Sequence, residues 1–142
     1  MNIVRQVEIE RPIDAVFEFV ADARNDPRWC PKVRSVELVS GERGGALYAV
    51  VHKPVPGKPE RQMKMSCVAS VPPRRVEWRE DDGTHVFDVT YSLEDLGGGR
   101  TRLTQESEAR LGAAWLMRPI YRIGIGRDVA RQLKELKKLL EG

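Results

Sequence analysis

The sequence is sparing with the residues that most often declare a chemistry. Among 142 residues there are two cysteines, Cys30 and Cys67, and two histidines, His52 and His85. The cysteines form no CxxC pair and are too few for a disulfide framework, so both read as reduced thiols, Cys67 as small core filler. No Cys/His spacing matches a zinc site, and no metal is expected. No apolar run approaches the roughly 20 residues of a membrane span, which argues against membrane insertion. The opening residues, Met-Asn-Ile-Val-Arg-Gln-Val-Glu, alternate apolar and polar without a signal-peptide core, so cytoplasmic residence is the expectation. Charge of one sign is also missing. Lys and Arg number 24 against 21 Asp and Glu, and a net +3 is too small an excess to imply nucleic-acid binding. There is no solenoid repeat. Gly97-Gly98-Gly99 lacks the Lys-Ser/Thr of a phosphate-binding loop, and there is no Gly-x-Ser-x-Gly elbow.

What remains is the pattern of a globular chain, with 41% hydrophobic and 32% charged residues, enough for one domain spanning 1–142. Residues 2–10 read as a strand with Ile3, Val7 and Ile9 inward. A short helix follows Pro12, with Asp14 in its first turn and Val16, Phe17 and Val20 on its apolar face. Pro27 and Pro31 leave room for at most one further helical turn. A β series then runs at 33–40, 46–53, 61–70, 75–80, 84–94 and 100–109. The loop at 53–59 carries three prolines and cannot be a central strand. Inward positions are Met63, Met65 and Cys67; Val76 and Trp78; Phe87, Val89 and Tyr91; and Leu103, Gln105, Ser107 and Ala109. The inner face of the strand at 46–53 stays open, because Leu47 to Val51 is apolar at nearly every position. Asp82-Gly83 predicts a two-residue hairpin turn, with Glu80 opposite His85, Trp78 opposite Phe87 and Val76 opposite Val89.

From Gly112 to Glu141 the period becomes helical. Leu116, Ile120, Ile123, Val129, Leu133, Leu136 and Leu140 recur at three, four or six residues, which predicts one apolar face. Gly124, Gly126 and Ala130 thin the middle of that stripe. A helix lying over the sheet with small residues there predicts a gap beneath it, over Met63, Met65, Phe87, Val89 and Tyr91. Loop parity puts Trp115 to Tyr121 at the mouth and Leu133 to Leu140 at the sealed end.

The strand, then Pro-Ile-Asp-Ala-Val-Phe-Glu-Phe-Val-Ala-Asp, Trp29-Cys30-Pro31-Lys32-Val33, a six-strand meander, and a last helix ending Leu136-Lys137-Lys138-Leu139-Leu140-Glu141 resemble one family over the whole chain. It is the polyketide cyclase/dehydrase and lipid-transport group of the START-like superfamily, which includes the birch pollen allergen. The resemblance implies an α+β helix-grip fold. In it a curved seven-stranded antiparallel sheet grips a long C-terminal helix, with two short helices between strands one and two. It also implies a cavity for a hydrophobic ligand between sheet and helix, but no single chemistry, since the superfamily hosts carriers, cyclases, hydrolases and chaperone cofactors.

Several constellations then bear on function. Met63, Met65, Cys67, Trp78, Phe87 and Val89, with Trp115, Ile120, Ile123 and Gly126 from the helix side, form the expected apolar wall, and Met117 and Tyr121 stand by the mouth. Tyr91, Gln105 and Ser107 are polar groups on the inner face, able to orient a ligand or simply to bond one another. Glu80 beside His85 would suit acid–base work, with Tyr91 as a third candidate, but hairpin tips are usually wet and a solvated pair is the plainer reading. The two histidines would lie three strands apart, on the order of 14 Å in a flat sheet. Arg118, Arg122, Arg127, Arg131, Lys134, Lys137 and Lys138 give the helix a basic side. A solvated face paired internally with Asp128, Glu135 and Glu141 is preferred there over a nucleic-acid or membrane surface. The leading expectation is a binding protein for a hydrophobic small molecule (lipid, polyketide or aromatic), monomer or homodimer, without cofactor. The alternative is a metal-free cyclase/dehydrase-type lyase or isomerase using Glu80 and His85.

Overall fold

The computed structural model describes residues 1–54, 56, 57, 59–110 and 116–142. Seven strands form one curved antiparallel sheet: β1 (Asn2–Ile9), β2 (Val33–Ser40), β3 (Leu47–His52), β4 (Arg61–Val71), β5 (Arg75–Asp81), β6 (Val86–Gly97) and β7 (Arg100–Arg110). Their order is β1-β7-β6-β5-β4-β3-β2, so β2 to β7 is a meander and β1 closes on its last strand. Helix α1 (Ile13–Val20) and a 3-10 helix (Ala23–Arg28) separate β1 from β2, and α2 (Arg118–Glu141) covers one sheet face. This is the helix-grip architecture expected.

The short helices follow from local chemistry. Pro12 stands at the N-cap of α1 in extended conformation, and Val16, Phe17 and Val20 are buried. Asp22 caps the 3-10 helix by accepting the Arg24 backbone N–H at 3.0 Å. The Asp26 carbonyl then accepts N–H bonds from Trp29 (3.1 Å) and Cys30 (2.8 Å), folding that segment against the sheet. The core joins α1, the inner sheet face and the C-terminal half of α2, with Ile9, Val76, Leu103 and Leu136 fully buried.

The open face of β3 is settled by its neighbours. Tyr48 pairs with Met65, Val50 with Met63 and His52 with Arg61, so the even positions point inward.

The β5–β6 hairpin differs from the expected register. Asp81 pairs with Val86, Glu80 with Phe87, Trp78 with Val89 and Val76 with Tyr91. The connection therefore has four residues, Asp82 to His85. The Asp82 carboxylate accepts the N–H groups of Thr84 (2.8 Å) and His85 (2.6 Å), and Asp81 accepts that of Gly83 (2.8 Å). With the Asp82 N–H donating to the His85 carbonyl at 3.2 Å, these side-chain turns centre the tip on Gly83-Thr84, one residue beyond the expected Asp82-Gly83. Because the slip is two residues, every side chain keeps its face.

The closing helix departs further. Val129, Leu133 and Leu136 are buried, but Leu116, Ile120 and Ile123 are 72%, 61% and 59% exposed. At about 100° per residue, the six-residue step from Ile123 to Val129 turns the helix by about 240°, not through whole turns. The two apolar sets therefore occupy opposite sides. On the outer side, Leu116, Ile120 and Ile123 continue into exposed Arg127, Arg131, Lys134 and Lys138 at spacings of three and four. Within α2 the ion pairing is limited among the described residues to Lys137–Glu141 at 2.7 Å. Asp128 instead reaches Lys32, so the basic side is solvated as expected, with one of its expected internal pairs formed among the described residues.

Candidate functional site

A cavity of about 450 Å³ lies between the inner sheet face and the N-terminal half of α2. Its sheet wall includes Met63, Phe87, Val89, Tyr91, Gln105 and Ser107, all drawn from the inward positions read from alternation. Glu80 joins them because it shares parity with Val76 and Trp78. From α2 come Tyr121, Ile125, Asp128, Val129 and Gln132, at the three- and four-residue steps that place them on one side of a helix.

The other expected wall residues are placed elsewhere. Met65, Cys67 and Trp78 are buried in the packed core, outside the cavity lining. Ile120 and Ile123 face solvent for the reason of phase given above, and Trp115 lies outside the described residues. Gly126 is buried, but against β1: a Cβ there would meet Arg5 Nη2 at 2.7 Å. Gly124 opens to empty space, and exposed Ala130 lines a separate shallow groove with Arg5 and Leu133. The small-residue stretch thus gives room to β1 and solvent. The helix side of the cavity is lined instead by Tyr121, Ile125 and Asp128.

Glu80 and His85 both border the cavity, but they are not cross-strand partners. Glu80 faces Phe87 across the ladder, and His85 Nδ1 sits 3.5 Å from the Asp82 carboxylate. Burial raises the Glu80 carboxyl to about 7, with Arg61 opposing. Asp26, on the 3-10 helix, also lines the cavity and is pushed well above the usual carboxylate range by burial, then by the charges of Glu80 and Asp22. Burial, reinforced by Asp26 and then Glu80, raises Cys30 too; Tyr91 goes up through burial, then Cys30, Asp26 and Glu80. His52 also reaches this cavity, since curvature brings β3 and β6 around one space. Burial, with Arg61 and Lys32 adding, pushes its imidazole down to about 4.

The rim is largely self-neutralised. Arg61 pairs with Asp82 at 3.2 Å and Lys32 pairs with Asp128. Inside, Gln105 Nε2 donates to Ser107 Oγ at 3.3 Å while Gln105 Oε1 is buried without a hydrogen-bond partner among the described residues. The strand pattern contained Met63, Phe87, Val89, Tyr91, Gln105 and Ser107. Asp26, Cys30, Lys32, Val33, His52 and Arg61 come from loops, the 3-10 segment and strand ends. Their only signal in the sequence was proximity to the Trp29-Cys30-Pro31 segment or to the mouth-side loops.

A family model described as polyketide cyclase/dehydrase and lipid transport matches residues 1–141. The chain belongs to that family. No curated protein matches the sequence significantly. Among solved structures, it is similar to a START superfamily protein from Mycobacterium smegmatis, with 15% identity, TM-score 0.79, and 99% and 97% of the two chains covered. It is also similar to the Zhui aromatase/cyclase from Streptomyces sp. R1128, with 16% identity, TM-score 0.76, and 99% and 93% covered. The di-domain ARO/CYC BexL of the BE-7585A biosynthetic pathway aligns with TM-score 0.72 at 18% identity, over 97% of this chain and 45% of that one. At these identities the likeness concerns the fold. No described helix is long and apolar enough to cross a membrane.

Proposed function

We propose that this family member binds a hydrophobic small molecule, of lipid, polyketide or aromatic type, between the sheet and α2. The observation that carries the reading is the cavity itself. About 450 Å³ falls within the range of small-molecule sites, and its wall combines an apolar surface with a few polar groups. Met63, Phe87, Val89, Ile125 and Val129 would supply affinity by apolar burial, and Tyr91, Gln105 and Ser107 would orient the ligand. Native mass spectrometry of gently purified protein tests it, together with titration of an environment-sensitive apolar dye. A retained or titratable ligand displaced by Val89→Trp is expected. Absence of any bound species and of dye uptake would overturn the reading.

A second reading, a cyclase/dehydrase-type enzyme, is favoured by one observation: a carboxyl near neutrality, Glu80, borders the same cavity as His85 and Tyr91. A carboxyl poised near the working pH suits proton transfer. Each residue would act on the ligand separately, since Glu80 and His85 are not paired. Turnover of a poly-β-ketone thioester, followed by product mass, should fall at least about a hundredfold in Glu80→Gln. Undiminished turnover in that variant would remove Glu80 from the chemistry.

A further inference from the structure

The N-terminal end of α2 stands out from the domain. Residues 116–124 are exposed without exception, and burial begins only at Ile125 and Gly126. Yet this end is not polar. Of the nine large hydrophobic side chains exposed among the described residues, five lie between Leu116 and Ile123. They are Leu116 and Met117, just before α2, and Ile120, Tyr121 and Ile123 within it. Apolar side chains scattered singly over a surface need no explanation, but a contiguous group of them marks a place of contact.

The charge around this end is of one sign. From residue 116 to residue 127 every charged side chain is an arginine: Arg118, Arg122 and Arg127. None of the three forms an ion pair among the described residues. At about 100° per residue, Arg127, Arg131, Lys134 and Lys138 continue the side of the helix that carries Leu116, Ile120 and Ile123. Glu135 is the acid on that flank, while Asp128 and Glu141 are taken by Lys32 and Lys137. One side of α2 is therefore apolar at its start and basic beyond.

We propose that this end of α2 docks on an anionic lipid surface. Leu116, Ile120 and Ile123 enter the boundary between headgroups and acyl chains, and Arg127, Arg131 and Lys134 rest on the headgroups. The proposal does not depend on what the cavity holds. From Leu116 to Ile123 the apolar ledge is about 10 Å long, which matches the roughly 5–10 Å to which amphipathic helices sink. Each basic side chain close to such a surface adds attraction. The contact is peripheral, since α2 is not apolar enough to cross a membrane. A protein groove fits this side less well. Groove-bound helices set apolar anchors at i, i+3, i+4 and i+7, and seven residues after Ile120 stands Arg127. A second copy of the chain would set arginine against arginine.

Co-sedimentation of the intact protein with vesicles tests this, using phosphatidylcholine alone and phosphatidylcholine mixed with an equal amount of phosphatidylglycerol. Binding to the mixed vesicles should be at least about tenfold tighter at low salt and should weaken as salt rises. Ile120→Ser with Ile123→Ser, and separately Arg127→Gln with Arg131→Gln, should each weaken it at least about tenfold. All four side chains are exposed, so the melting temperature should hold in both variants. No binding to either vesicle, or equal binding to both, overturns the proposal on the unaltered protein alone. A loss in the arginine pair with none in the isoleucine pair overturns the apolar tip, leaving plain electrostatic adsorption. Self-association that disappears with the isoleucine pair, without vesicle binding, gives this side of α2 to a second copy and overturns the lipid assignment.

Discussion

The two halves of α2 carry the same kinds of side chain and meet opposite fates. In the C-terminal half Leu133 and Leu136 are 2% and 0% exposed, and the helix end is tied to β1. Lys137 Nζ donates to the Glu8 carbonyl at 2.8 Å, and Glu141 accepts the Glu10 N–H at 2.8 Å. In the N-terminal half Ile120 and Ile123 point outward, and the inward side chains Tyr121, Ile125 and Asp128 stand over a cavity. One half closes a packed core and the other roofs an open space. Residue type does not separate them. Rotational phase does, and it is set by one six-residue step.

The sharpest way to test the comparison is to cut into each half. Leu136→Ala should lower unfolding free energy by about 3 kcal/mol in urea denaturation, since it leaves a void under a pinned helix. A loss below about 1 kcal/mol would mean that the C-terminal half is no better packed than the other.

On the open side, Glu80→Gln should act through pH. The folded-state carboxyl is raised to about 7 from an ordinary 4.5, so the folded protein holds this proton more tightly than the unfolded chain does. Its effect on stability is therefore least unfavourable below pH 4.5 and worsens as pH rises from there through 7. Water in the cavity softens the penalty to on the order of 1–3 kcal/mol. The Gln variant should be more stable than the parent by that amount near pH 8 and little different near pH 4, in thermal melts across the range. An unchanged pH profile would show that the cavity is as wet as bulk solvent.

Gly126→Leu sharpens the boundary between the halves. The new side chain must displace the exposed guanidinium end of Arg5, which donates to the Val4 carbonyl at 2.8 Å, so a net loss of about 1–2 kcal/mol is expected, with ligand or dye affinity unchanged. If affinity collapsed while stability held, the small-residue stretch would belong to the cavity after all. The smallest effect is expected from Ile120→Ser, within about 0.5 kcal/mol in denaturant, because the side chain is 61% exposed. A larger loss would mean that the outer apolar side is covered in solution.

The strands were the most legible part of the molecule. Alternation at Met63, Met65 and Cys67, and again at Leu103, Gln105 and Ser107, stated both the element and its inward face, because the side-chain period of a strand leaves two choices. The hairpin tip was less legible. Asp-Gly favours a two-residue turn, yet the same aspartate captured two downstream N–H groups and the tip moved on by one residue. Cavity residues on β6 and β7 followed from the period, whereas Asp26 and His52 depended on how the 3-10 segment and the curved sheet enclose a space.

By itself, then, the sequence determined the order of elements, the antiparallel meander and most inward positions, since each follows from local periodicity and turn chemistry. Tertiary structure alone decided which side of α2's first half faces the sheet. It also decided that Gly126 yields to Arg5 instead of to a ligand, and that two carboxyls far apart in the chain border one volume. Those outcomes depend on helix phase, sheet curvature and the distance between layers, which only the assembled chain defines.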